Sequence, residues 1–169
     1  VAIRKASGKF FPIQSIITIF WFQAILCWII SQPLLKIMQS KFPSKLTNLD
    51  KLGTLLWCIG FFFETVGDLQ LAKFKSNPSN KGKLLTTGLW KYTRHPNYFG
   101  NACMFWGFYL IACSVRNGWT TLYSPSLMTF LLLKVSGVSL LEKSLSKRKP
   151  GFQYYQQSTS SFIPWFPAK

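Results

Sequence analysis

Four runs of roughly twenty mostly apolar residues, each bounded by charge, constrain this chain more than any other feature. A bilayer core of ~30 Å is crossed by about 20 residues at 1.5 Å rise. The first run extends from about Phe11 to Leu35 between Lys9 and Lys36, and Pro33 is expected to kink or close it. The second covers Leu52 to Leu71 between Lys51 and Lys73, the third Pro96 to about Val115, and the fourth Pro125 to Leu141. Lipid cannot satisfy open strand edges, so each run reads as a helix. The expected class is all-α: a polytopic integral membrane protein with about four transmembrane helices and an amphipathic C-terminal segment, forming one domain over residues 1–169. Val1 in place of Met points to a trimmed start, and no signal-peptide pattern precedes the first run.

Composition agrees. Only 14% of residues are charged, against about 25% in soluble domains. The net charge of +16 by itself fits either nucleic acid or an anionic membrane, and the apolar runs decide against nucleic acid. Cys27, Cys58, Cys103 and Cys113 lie within apolar stretches without C-x-x-C spacing, and His95 is the sole histidine, so no metal set assembles. Basic residues test orientation. Fourteen fall in the N-terminus, the 73–94 loop and the tail, against five in the other two loops, with Lys134 inside the fourth run. The positive-inside rule then puts both termini and loop 73–94 on the cytosolic or matrix side, in the endoplasmic reticulum or an organelle inner membrane such as the mitochondrial one.

Two places carry chemistry. Glu64 and Asp68, two of the four acids, share a helix face in the second run at i, i+4 spacing. An acid at the centre of a span costs about 3 kcal/mol, so such residues face protein or a wet cavity. The competing reading leaves them near the interface, meeting lysines. The densest cluster is Gly88-Leu89-Trp90-Lys91-Tyr92-Thr93-Arg94-His95-Pro96-Asn97-Tyr98-Phe99-Gly100. Pro96 starts a helix there, and Lys91 and Arg94 beside its N-terminus make an anion site, with Trp90, Tyr92 and Tyr98 as flat surfaces for a nucleobase or nicotinamide. An ordinary aromatic and basic interfacial belt explains the same spacing. In the tail, Tyr154 and Tyr155 are placed to roof a cofactor, or to lie in the interface.

The blocks E-T-V-G-D-L-Q (Glu64 to Gln70), G-L-W-K-Y-T-R-H-P-N-Y-F-G (Gly88 to Gly100), S-P (Ser124-Pro125), M-T-F-L-L-L-K-V-S-G-V-S-L-L-E-K (Met128 to Lys143) and F-I-P-W (Phe162 to Trp165) occur in order. Together they resemble the steroid 5α-reductase-like proteins, in the R-H-P-N-Y branch related to sterol reductases. The resemblance covers roughly Leu52 to Pro167. It implies an NADPH-dependent membrane reductase that saturates a carbon–carbon double bond of a lipid or sterol-like substrate. By the same resemblance, Asp68, Arg94, His95, Asn97 and Tyr98 line a cofactor pocket, and Glu142 and Tyr155 close it from the tail; Glu64 is counted with the cofactor-binding residues from the helix face it shares with Asp68.

Asn101 stands where the resembling family usually carries an acid, and an amide cannot deliver a proton as a carboxyl group can. Two other functions follow from this departure and from shared motifs. One is a non-catalytic subunit of a larger membrane complex that keeps a bound lipid or nucleotide. The other is a methyltransferase using S-adenosylmethionine, since isoprenylcysteine and phospholipid methyltransferases share a related R-H-P block. The N-Y-F-G and F-I-P-W blocks favour the reductase.

Overall fold

A computed structural model describes residues 14–40, 45–135 and 137–168. Among them every regular element is helical and no strand occurs. The basic residues Arg4, Lys5 and Lys9 and the start of the first apolar run lie outside the described residues.

A π-helical segment, Ile16–Trp21, leads into α1 (Phe22–Ile30) and α2 (Gln32–Met38). The two parts of this first span are bent by 51°. Pro33 sits in the first turn of α2, where its ring blocks continuation of the preceding helix. The break is patched by side chains, since Ser31 Oγ and Gln32 Nε2 both donate to the Trp28 carbonyl at 3.0 Å.

Helix α3 (Asn48–Ser76) is the longest element, with 29 residues. Its start is fixed by a capping box: the Thr47 N–H donates to Asp50 Oδ2 at 2.7 Å, and the Asp50 N–H donates to Thr47 Oγ1 at 3.2 Å. The buried residues of α3 are Gly53, Gly60 and Gly67, spaced by seven. Many of its large side chains point outward, with Leu52, Leu55, Phe61, Phe62 and Leu69 all about half exposed or more, while Trp57 and Phe63 pack on the Phe108 and Phe99 rings. Small residues inside and large apolar residues outside is the packing of a helix surrounded by lipid rather than water.

Helix α4 (Pro96–Ala112) runs antiparallel to α3 at backbone distance. Gly100 and Gly107 face Gly60 and Gly53, and a Cβ added at Gly60 would stand 2.5 Å from the Gly100 carbonyl oxygen. At the far end Ser114 Oγ donates to Asp50 Oδ1 at 2.7 Å, so the cap of α3 also anchors the end of α4.

A 3-10 turn, Gly118–Leu122, precedes α5 (Tyr123–Phe130), a π-helical turn (Leu131–Val135) and α6 (Val138–Arg148). The last helix, α7 (Phe152–Ser158), opens the tail. Ser124 Oγ donates to the Ile30 carbonyl and Trp106 Nε1 to Thr129 Oγ1, tying α5 to α1 and α4.

Among the described residues two helical stretches, Asn48–Ser76 and Gly118–Arg148, are long and apolar enough to cross a membrane, and the bent first pair makes a third if counted as one span. The all-helical membrane class expected from the sequence is thus what the structure shows, with two to three candidate spans among the described residues in place of about four. The third run forms a helix of 17 residues, about 25 Å at 1.5 Å per residue, which is short for a ~30 Å core. It reaches the requirement of a packed helix by lying along α3.

Candidate cofactor cavity and the ion pair beneath it

The segment before α4 folds as a 3-10 turn, Gly88–Lys91, whose position is set by α3. Gly88 has φ +64, a left-handed conformation that glycine adopts without cost, and it packs against the Gln70 side chain. Gln70 Oε1 accepts from the Leu89 N–H at 3.0 Å, and Trp90 Nε1 donates to the Gly67 carbonyl at 3.1 Å. The tail then laces onto this turn. The Arg94 N–H donates to the Ser160 carbonyl, the Trp165 N–H to the Tyr92 carbonyl and Thr93 Oγ1 to the Phe162 carbonyl, all at 2.9 Å. Loop 88–95 and the tail therefore occupy the same end of the molecule.

Arg94 lies at the centre of this junction, with 8% of its side chain exposed. Its Nε donates to Glu142 Oε1 at 2.8 Å and its Nη2 to Glu142 Oε2 at 3.2 Å. Its Nη1 donates to the carbonyls of Gln156, at 2.9 Å, and Thr159. Four of its five N–H donors are thereby engaged. Glu142 also accepts from Gln156 Nε2 at 2.9 Å and lies 3.2 Å from His95 Nε2. The His95 ring is stacked on Tyr98, with centroids 5.3 Å apart. Tyr155 donates its hydroxyl to the Trp90 carbonyl, and burial raises its phenol above the ordinary tyrosine value, so it serves as a neutral donor.

Above the ion pair is a cavity of about 410 Å³. Trp90, Arg94, His95 and Tyr155 form part of its wall, with Leu71, Phe74, Leu145 and Phe152 as apolar lining. Four lysines, Lys75, Lys81, Lys83 and Lys149, also line it, and no carboxylate does. Lys149 Nζ donates to the Lys83 carbonyl at 3.2 Å and joins the loop to the end of α6. Its volume is within the ~300–1,000 Å³ usual for small-molecule sites, and its lining combines basic side chains with an apolar and aromatic wall.

The residues singled out in the sequence thus divide in two. Arg94, His95, Glu142 and Tyr155 come together around the ion pair, with Tyr98 behind His95. Glu64, Asp68 and Asn97 do not line the cavity. They form a ladder between α3 and α4, in which Asn97 Nδ2 donates to Asp68 Oδ1 at 2.9 Å and Asn101 Nδ2 to Glu64 Oε1 at 3.1 Å. The i, i+4 acids of α3 meet i, i+4 amides of α4: Glu64 is partly buried in this contact, while Asp68 stays exposed at its edge. Lys91 lines a separate cavity with Tyr154 and Pro167. The arginine proposed for anion binding is largely spent on holding the tail, and the other basic side chains of the lining are His95 and the four lysines, of which Lys149 donates to the Lys83 carbonyl. Sequence reasoning counted those lysines only for orientation, and it missed Gln156, which carries no signal beyond its position in α7.

Residues 1–159 match the family described as "Protein of unknown function (DUF1295)". The chain belongs to this family. It is a family of the steroid 5α-reductase-like and isoprenylcysteine methyltransferase-type membrane proteins. The match starts at residue 1, whereas the resemblance read from the sequence begins only near Leu52, so the first span is part of the family region as well. A protein named Probable O-methyltransferase ustE, from Ustilaginoidea virens, is similar in part: 44% identical over 46 residues, which is 27% of this chain and 16% of that protein. No solved structure matches the chain.

Proposed function

We propose that this member of the family binds NADPH in the lysine-lined cavity and reduces a carbon–carbon double bond of a lipid or sterol-like substrate. The observation that carries the reading is the charge of the lining: four lysines, Arg94 and His95, without a carboxylate. NADPH carries several phosphate charges, which lysines neutralise as point charges. S-adenosylmethionine is a sulfonium cation, and this lining offers it no counter-charge.

Lys75, Lys81, Lys83 and Lys149 would hold the phosphates, while Trp90 and Tyr155 supply the aromatic wall against which a planar ring packs. When bound, NADPH supplies the hydride. The chain's own contribution is orientation and exclusion of water. Glu142 holds Arg94 and His95 in the wall, and α7 closes one side of the cavity with Phe152 and Tyr155.

The methyltransferase reading has one observation in its favour, the 46-residue similarity to a protein named as an O-methyltransferase. Titration calorimetry of the purified protein in detergent with each cofactor separates the two. NADPH is expected to bind, and Lys75→Met and Lys81→Met each to weaken it by roughly 10-fold, the value of one charge-assisted contact. Binding of S-adenosylmethionine with no NADPH binding would reverse the assignment.

A further inference from the structure

We propose that the break in the last candidate span is the headgroup site of an anionic phospholipid. Lys134 lies inside the apolar Gly118–Arg148 stretch, and an ammonium there is among the costliest groups to leave facing hydrocarbon. Lys143 is nine residues further on. On an unbroken helix at about 100° per residue the two would point to opposite faces. The π-helical turn Leu131–Val135 and the non-helical Gly137 (φ −101, ψ −110) intervene, and both lysines line one cavity of about 520 Å³.

The break is built into the sequence. A Cβ at position 137 would collide with the Leu132 carbonyl oxygen, so this packing requires glycine. Ser139 Oγ donates to the Leu133 carbonyl at 2.8 Å and satisfies a backbone acceptor beside the interruption. Irregular backbone at membrane depth is tolerated where it is buried or lines a polar cavity, and π-helical turns recur at functional sites.

The charges facing this cavity are Lys134, Lys143 and Arg94 against the single carboxylate of Glu142, which is already engaged by Arg94 and Gln156. An excess of positive charge selects an anion. Exposed apolar side chains flank the break, Phe130 and Val135 before it and Leu140 and Leu141 after it. A phosphate carrying acyl chains fits both features; a soluble phosphate uses only the first. Arg94 lines both cavities, but Glu142, Lys134 and Lys143 line only this one, and the proposal stands whether or not NADPH binds in the other.

The test is native mass spectrometry of the full chain released from micelles containing equal amounts of phosphatidylglycerol and phosphatidylcholine. The wild type is expected to retain phosphatidylglycerol preferentially, and the double variant Lys134→Met/Lys143→Met to lose about 10-fold or more of that preference. Lys147→Met removes the same charge from α6 outside the cavity and is expected to change nothing, and thermal melts by circular dichroism verify that each variant is folded. Equal retention of both lipids by the wild type would overturn the proposal. So would an equal loss in Lys147→Met, which indicates bulk charge, or displacement of the lipid by an equal concentration of glycerol phosphate, which indicates a plain phosphate site.

Discussion

Removing one partner of the Arg94–Glu142 pair is the most informative perturbation of this molecule. The pair is bidentate, with exposures of 8% and 13%, and it joins three segments distant in sequence: the turn before α4, α6, and the tail after α7. Breaking a buried pair from one side costs about 3–5 kcal/mol, because the remaining charge is left without its partner. Glu142→Met falls in that range, since Arg94 keeps only the carbonyls of Gln156 and Thr159. Arg94→Met loses those two bonds as well, at about 0.5–1.5 kcal/mol each, and is expected to be the more damaging variant. In Arg94→Met/Glu142→Met the pair is lost only once and no charge is stranded, so the double variant is expected to be at least ~2 kcal/mol more stable than the sum of the singles implies. Reversible unfolding in mixed micelles, followed by tryptophan fluorescence, gives all three values. Singles costing under ~1 kcal/mol, as surface pairs do, or a cycle additive within about 0.5 kcal/mol, would refute the assignment of this pair as the clamp of the tail.

Two further outcomes follow from the same structure. Gly60→Ala puts a Cβ 2.5 Å from the Gly100 carbonyl oxygen and 2.7 Å from the Met104 nitrogen, and the resulting separation of α3 from α4 is expected to cost about 1–3 kcal/mol in the same unfolding assay; an unchanged midpoint would show that the helices are not in backbone contact. Cysteines placed at Ser79 and Ser160 in a background lacking the four native cysteines are expected to label from the same side of sealed vesicles, and labelling from opposite sides would contradict the hydrogen bonds that join the 88–95 turn to the tail.

The helical class and the approximate positions of the apolar helices were legible because burial in lipid demands long apolar runs and internally satisfied backbone. Pro33 and Pro96 marked a bend and a helix start for the same steric reasons that operate in the structure. The seven-residue glycine spacing of α3 was present in the sequence, yet glycine signals close approach only when the partner helix is known, and Gly100 and Gly107 supply that partner. The site was legible in part. Arg94, His95 and Glu142 were identified by motif, while their mutual contact depends on how α6 turns after Gly137. The role of Arg94 was the least legible, because an arginine beside a helix N-terminus looks the same whether it meets a phosphate or a carboxylate from 48 residues away.

Asn101 takes on a different meaning once Glu64 is placed opposite it. Viewed along the chain, an amide there is the loss of an acid. Across the helix pair it is the donor that Glu64 needs, because Asn101 Nδ2 reaches Glu64 Oε1 and an ionised acid at the same position has no proton to give. A carboxylate at 101 would instead face a carboxylate, with like charges held together in a span where each is expensive alone. The pairing of Asn97 with Asp68 one turn away repeats the solution. These two rungs continue the line of contacts made by Gly60 with Gly100 and Gly53 with Gly107, and together they fix the antiparallel register of α3 and α4. That register determines where the residues just before α4 emerge relative to the end of α3. Arg94 and His95 are therefore delivered to the cavity wall by a ladder that does not itself touch the cavity, so a change at Asn101 acts on the site through position as well as through chemistry.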